Sequence, residues 1–202
     1  MSETSSRPSI SLTLSLEETF REPVTQALRG RELQASPAIE PYLVGLLKEF
    51  AKPTEATASP LTQPVTFLLR DAMEANGQER FKRLQALGDG VLYGLGFFAG
   101  TLRGADEEYF AHVGSSAYEH AARMLRANHG RAPNVLEELA TQFGRLVTVL
   151  RDVADWFSAK AARDEEALVK LYERWLKTGS TVLQGELGQR GLLPLKNPGG
   201  VH

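Results

Sequence analysis

The chain has 202 residues, 42% of them hydrophobic and 24% charged, with a formal net charge of −2 and no cysteine. That length and balance suit a soluble globular domain with a sizeable core. The charge argues against a nucleic-acid surface, which needs a basic stripe, and the missing cysteines exclude disulfides, thiol catalysis and thiolate metal sites.

Residues 1–8 are rich in Ser and Glu and read as a disordered tail. Over residues 9–16, Ile10, Leu12, Leu14 and Leu16 alternate strictly with Ser and Thr, a strand period found nowhere else in the chain. An isolated strand has no internal partner for its ladder bonds. The stretch therefore reads either as an extended arm lying on helices or as a strand that pairs across a dimer or adds to a partner's sheet edge. The expected organisation is an N-terminal arm over 1–16, a single helical domain over 17–190 and a tail over 191–202. No apolar segment follows the start methionine, so no signal peptide is expected and the cytoplasm is the default compartment.

Helical periodicity begins at Leu16. Ser15 and Glu18 fit a capping box, and Leu16, Phe20, Val24 and Leu28 share one face up to Gly30, with Pro23 expected to kink the helix. A second helix, from about Pro41 to Lys52, sets Ile39, Tyr42, Leu43, Leu46, Leu47 and Phe50 toward a core. The proline-rich stretch 52–64 reads as an exposed loop. A third helix, Pro64 to Asn76, buries Val65, Leu68, Leu69, Ala72 and Met73 before the Asn76-Gly77 stop.

The stretch from Phe81 to Gly104 then reads as one long central helix. Leu84, Leu87, Val91, Leu95, Phe98 and Leu102 follow spacings of three, four, four, three and four, a single apolar stripe. The opposite side carries Gly90, Gly94, Gly96, Gly100 and Gly104, with Tyr93 and Phe97 projecting from it. A helix apolar on both sides is a buried one. Five glycines between Gly88 and Gly100 cost about 4 kcal/mol in helix propensity, which tertiary contacts must offset. Two arrangements could do so: a neighbouring helix approaching the bare backbone, or a flat ligand lying against it. The uncharged run is too short for a membrane span.

A fifth helix starts near Asp106 and runs to Asn128, with Tyr109, Phe110, Val113, Ala117, Ala121, Met124 and Leu125 on its apolar arc. Its small patch from Gly114 to Ala117 is the natural complement of the glycine face. The sixth, opened by Asn134 and Glu137, carries Leu136, Leu139, Phe143, Leu146, Leu150, Val153 and Phe157 in an unbroken heptad spacing. This stripe packs either inside the chain or across a homodimer. The seventh runs from Asp164 to Gly179 with Leu168, Leu171, Tyr172, Trp175 and Leu176 on its face, and a weaker helix follows over Thr181–Gln189.

No catalytic signature emerges. The chain has no G-x-S-x-G, its GDGVLYGLG matches neither dinucleotide nor P-loop patterns, and the Glu-x-x-His pairs of a di-metal bundle are missing. The candidate ligand-binding residues are Asp89, Tyr93, Gly96, Phe97, Gly100, Tyr109 and His120, the polar and aromatic groups that a pocket at the glycine face would gather. His120 at the edge of an apolar arc is most often a core residue. Its sharper roles are a general base or an axial haem ligand, and haem is the one cofactor weighed; none is expected. The candidate partner-binding residues are Ile10, Leu12, Leu14 and Leu16.

The segments FKRLQALGDGVLYGLGFF, YFAHVGSSAY and LYERWLKTGS resemble those of a group of uncharacterised bacterial helical proteins, over roughly Ile39 to Gly179. The resemblance implies a bacterial, cytoplasmic, all-helical protein and carries over no activity, cofactor or site. The expected fold is all-α: an irregular bundle of about seven helices around a buried glycine-rich helix, with an extended strand-like arm. The leading functional expectation is a non-enzymatic interaction or regulatory module that binds a protein partner through the arm or the bundle surface. The alternative is a bundle binding a small apolar ligand or cofactor at the glycine face, possibly as an enzyme.

Overall fold

A computed structural model describes residues 8–52, 64–98, 106–129 and 134–192. All regular structure among them is helical: α1 (Pro8–Gly30), α2 (Ile39–Ala51), α3 (Val65–Glu74), α4 (Gly77–Phe97), α5 (Asp106–His129), α6 (Val135–Thr141), α7 (Phe143–Ala161), α8 (Glu165–Thr178) and α9 (Thr181–Gln189). The chain divides into two compact units, the first ending at Leu150 and the second beginning at Arg151. No helix among the described residues is long and apolar enough to cross a membrane.

The expected strand over residues 9–16 is corrected: the backbone there belongs to α1. A strand without a neighbour leaves its N–H and C=O groups unpaired, whereas a helix closes them on itself. The side chains of Ile10, Leu12 and Leu14 lie outside the described set. Ser15 and Glu18 fall inside α1 and do not cap it, and Pro23 lies within the same helix. Its end is a Schellman turn: Glu32 N–H donates to Arg29 O at 2.9 Å and Leu33 N–H to Leu28 O at 3.2 Å. Glu32 takes the left-handed conformation, φ 47°, that this turn requires.

The helix count of about seven rises to nine among the described residues. One addition is the break of the long sixth helix at Gln142 into α6 and α7. Hydrogen bonding continues across it, with Gln142 N–H on Glu138 O and Leu146 N–H on Gln142 O, so the apolar spacing passes through uninterrupted. The other is α9, which matches the weaker eighth helix.

In the first unit α4 packs chiefly on α5, and also on α3 and α2; α1 packs on α2, and α5 on α6. Helix α4 starts a turn earlier than expected, at Gly77, and ends at Phe97; Gly100, Leu102 and Gly104 lie outside the described residues. Leu84, Leu87, Val91, Leu92 and Leu95 are buried along its apolar stripe, with Gly88 among them, and Gly90, Gly94 and Gly96 are buried as well. The glycines serve close approach. A Cβ at Gly96 would sit 2.5 Å from Leu150 Cβ on α7, and one at Gly114 on α5 would sit 2.5 Å from the Phe143 ring and 2.9 Å from Val91. The heptad residues Leu136, Leu139, Phe143, Leu146 and Leu150 are buried within the chain.

The second unit is built from the C-terminal part of α7 with α8 and α9. Ala159, Ala162, Leu171, Trp175, Leu183 and Leu187 form its core. Its helix ends are capped by side chains. Asp164 accepts from Ala167 N–H at 2.8 Å, Ser180 from Leu183 N–H at 3.3 Å, and Gly179 turns left-handed at φ 63° to close α8. Arg190 donates to the Ala162 and Ala159 carbonyls, both at 2.6 Å, where the last turn of α7 leaves acceptors unpaired.

Candidate functional site

The most concentrated polar chemistry in the first unit gathers on Asp89, midway along α4. Its neighbour Gly88 leaves a notch in the helix surface. The ring of Tyr118, from α5, fills that notch; a Cβ at Gly88 would lie only 2.7–2.9 Å from three of its ring atoms. This depth lets the fully buried Tyr118 donate its hydroxyl to Asp89 Oδ1 at 2.6 Å. Tyr42, one turn into α2, donates to the same oxygen at 2.7 Å. Gln85, one turn before Asp89 on α4, donates from Nε2 to the Tyr42 hydroxyl at 3.2 Å. The two tyrosine rings meet edge to face at 6.4 Å and 77°. Three helices are thus joined at one carboxylate oxygen.

Burial pushes the Asp89 carboxyl up to about 6, against the pull of the Tyr118 and Tyr42 hydrogen bonds and with a further push from the Glu49 charge. The neutral donors do not cancel the cost of taking the carboxylate out of water. Burial, with the Asp89 charge next, holds both phenols well above their ordinary value. The Asp89 carboxyl can exchange one proton close to neutrality. A general base must also reach a substrate proton, and Oδ1 is already committed to two phenols.

The expected ligand residues do not converge. Asp89 sits in this node, but His120 makes none of its bonds. His120 is half-buried on α5, and its pKa is lowered by burial first, then by the Arg123 charge, with Glu119 opposing and Arg80 adding. Tyr93 and Phe97 belong to a separate aromatic ladder: Phe50 stacks on Tyr93 at 4.3 Å, Tyr93 on Phe97 at 5.0 Å, and Phe98 meets Tyr93 edge-on at 5.6 Å. Tyr109 pairs with Phe110 at 5.9 Å. Gly96 is covered by Leu150, and Gly100 lies outside the described residues. Of the expected partner residues, Leu16 is half-buried on α1.

Sequence reasoning missed Tyr118 and the link from Tyr42. The signal was available: Gly114, Tyr118, Ala121 and Leu125 follow spacings of four, three and four, so Tyr118 shares a row with the small residues assigned to face α4.

The second unit holds a contrasting cluster. Asp155 on α7 is 3% exposed, with Arg174 Nε of α8 2.6 Å from its Oδ1. The two atoms are an ion pair by distance, but their angles do not meet those of a hydrogen bond. Burial raises the Asp155 pKa most; a hydrogen bond from Ser180 and the Arg174 charge lower it, and Asp152 opposes them. Of two residue types common at interfaces, Trp175 belongs to the core of this unit and the half-buried Tyr172 packs against that core. A shallow hollow of about 340 Å³ lies between Ser36–Ala38 and α6; its floor is tied by Ser36 N–H donating to Glu138 at 2.7 Å. No group of three or more His, Asp or Glu among the described residues is placed to hold a metal ion.

Comparison of the chain with protein-family models, with curated proteins and with solved structures finds no match.

Proposed function

We propose that the chain is a non-enzymatic interaction or regulatory module that binds a protein partner through the surface of its helical bundle. The observation that carries this reading is the aromatic ladder at the end of α4. Phe98 keeps 53% of its surface in water beside three stacked rings, Phe50, Tyr93 and Phe97. Aromatic side chains clustered at a surface supply contact area at small entropic cost and are enriched where proteins meet. The interior supports the same reading. Asp89 is held by two tyrosines, Asp155 by Arg174 and Ser180, and the notches at Gly88 and Gly96 are filled by Tyr118 and Leu150. The rival, an apolar ligand at the glycine face, loses the space it needs at Gly96. Residues 10–14 add no support, because their side chains lie outside the described set.

A photo-crosslinking amino acid at Phe98, with Glu79 as the control position, tests the reading in the source cells. The expected result is a discrete protein adduct from position 98 alone. A co-purifying small molecule seen by native mass spectrometry, with no adduct at position 98, would overturn it.

A further inference from the structure

Helix α8 carries an apolar stripe that its own core covers only in part, through Tyr172. Leu171 and Trp175 face into the second unit, whereas Val169 and Leu176, two turns apart on another side, are 56% and 47% exposed. The half-buried Tyr172 lies between them. Beside this stripe runs a row of four exposed charges, Glu166, Lys170, Glu173 and Lys177, at spacings of four, three and four. Read from the other end, the spacings are unchanged and every sign is reversed.

That symmetry selects a partner. A second copy of α8 laid antiparallel on the stripe brings Glu166 against Lys177 and Lys170 against Glu173, and the two-fold axis repeats both contacts. All four pairings are then of opposite charge. In a parallel arrangement the two-fold axis sets this row against the opposite flank of the partner's stripe, and the four pairings are lost. Within one chain Lys170 pairs with Glu166 at 2.7 Å, but both side chains stay in water and the pair contributes little. An isologous contact of this kind closes as a dimer and does not propagate.

We propose that α8 is the seam of a two-fold homodimer, in which two copies of the chain pair antiparallel through Val169, Tyr172 and Leu176 and are held in register by the alternating charges. The idea rests on the reading of the chain as an interaction module but not on Phe98. A helix of 14 residues is only about 21 Å long, so the seam falls short of the ~800 Å² per partner of a standard interface. The dimer therefore dissociates on dilution.

Sedimentation velocity of the full chain over rising concentration tests this, with circular dichroism to verify that each variant keeps its helicity. The expected result is a reversible monomer–dimer equilibrium. Leu176→Glu should weaken it by roughly tenfold or more. Lys170→Glu and Glu173→Lys each bring like charges together and should weaken self-association several-fold. Mixed with each other, those two variants meet with opposite charges at every position and should associate as well as the original chain. The charge variants stand alone as a test if Leu176→Glu does not fold. A monomer at every concentration, a dimer indifferent to Leu176→Glu, or a mixture no tighter than its components would overturn the seam. A monomer would leave the Phe98 adduct untouched, and loss of that adduct would leave the dimer untouched, so the two readings fail separately.

Discussion

Asp89 in the first unit and Asp155 in the second are both withdrawn from water, and in both burial is the largest influence on the carboxyl. They are completed differently. Asp89 receives two neutral hydroxyls, from Tyr42 and Tyr118; Asp155 receives the Arg174 guanidinium and the Ser180 hydroxyl. A neutral donor satisfies the oxygen without neutralising the charge, so Asp89 stays costly to ionise. A cation offsets the charge but leaves it exposed to loss if the cation is removed. The two units therefore depend on opposite features: the first on geometry that places two rings, the second on one ion pair.

Removing the cation is expected to have the largest effect. Arg174→Met strands Asp155 in a buried site. The expected loss is about 2–3 kcal/mol in urea unfolding at pH 7, below the 3–5 kcal/mol of a fully buried pair, because the Arg174 side chain is 37% exposed. Adding Asp155→Asn should recover most of it. A loss well under 1 kcal/mol would erase the contrast between the units.

Next is the geometry of the first node. Gly88→Ala puts a methyl into the Tyr118 ring. Overpacking of roughly 1–3 kcal/mol is set against the ~1 kcal/mol gained in helix propensity, for a net loss of up to about 2 kcal/mol. Tyr118 should also shift away from Asp89, visible as a change in near-ultraviolet circular dichroism. A stabilised Gly88→Ala with an unchanged spectrum would show that the notch is not needed.

The smallest change is a gain. Asp89 has a folded pKa of about 6 against an ordinary 3.8, so the folded state binds its proton more tightly. Its contribution to stability is full below pH ~4 and is lost as pH rises to and through ~6. The difference is on the order of 2–3 kcal/mol. Asn keeps an acceptor for both tyrosines and carries no charge. Asp89→Asn should therefore gain about 1 kcal/mol at pH 7, gain little at pH 4, and flatten the dependence between. A loss at pH 7 would mean that the charged hydrogen bonds outweigh desolvation.

Much of the helical framework was legible from periodicity. The apolar stripe of α4, the Asp164 start and Gly179 stop of α8, and the weak α9 follow from spacing and caps, which are local. The misreadings have physical causes. Alternating Ile10, Leu12, Leu14 and Leu16 mimic a strand, but strand formation depends on a neighbour that periodicity cannot supply. The break at Gln142 is invisible because Leu139 and Phe143 keep the apolar spacing across it. At the site, the sequence marks Asp89 as a polar group on a small-residue face and points to His120, whereas the α5 residue that bonds Asp89 is Tyr118. Residue chemistry alone favours His120. Tyr118, two residues earlier, reaches Asp89 because Gly88 admits its ring, a matter of space between helices that residue type does not reveal. Periodicity places Tyr42 on a core face but does not show what its hydroxyl bonds.

The claim that Asp89 is enclosed by neutral donors, and so spent within the fold, is tested most directly by a carbon-detected NMR titration of its side-chain carboxyl. The expected midpoint is about 6, with the Tyr42 and Tyr118 ring carbons responding at the same pH. A midpoint near 3.8, with both tyrosines silent, would contradict it and reopen Asp89 as a group free to act on something else.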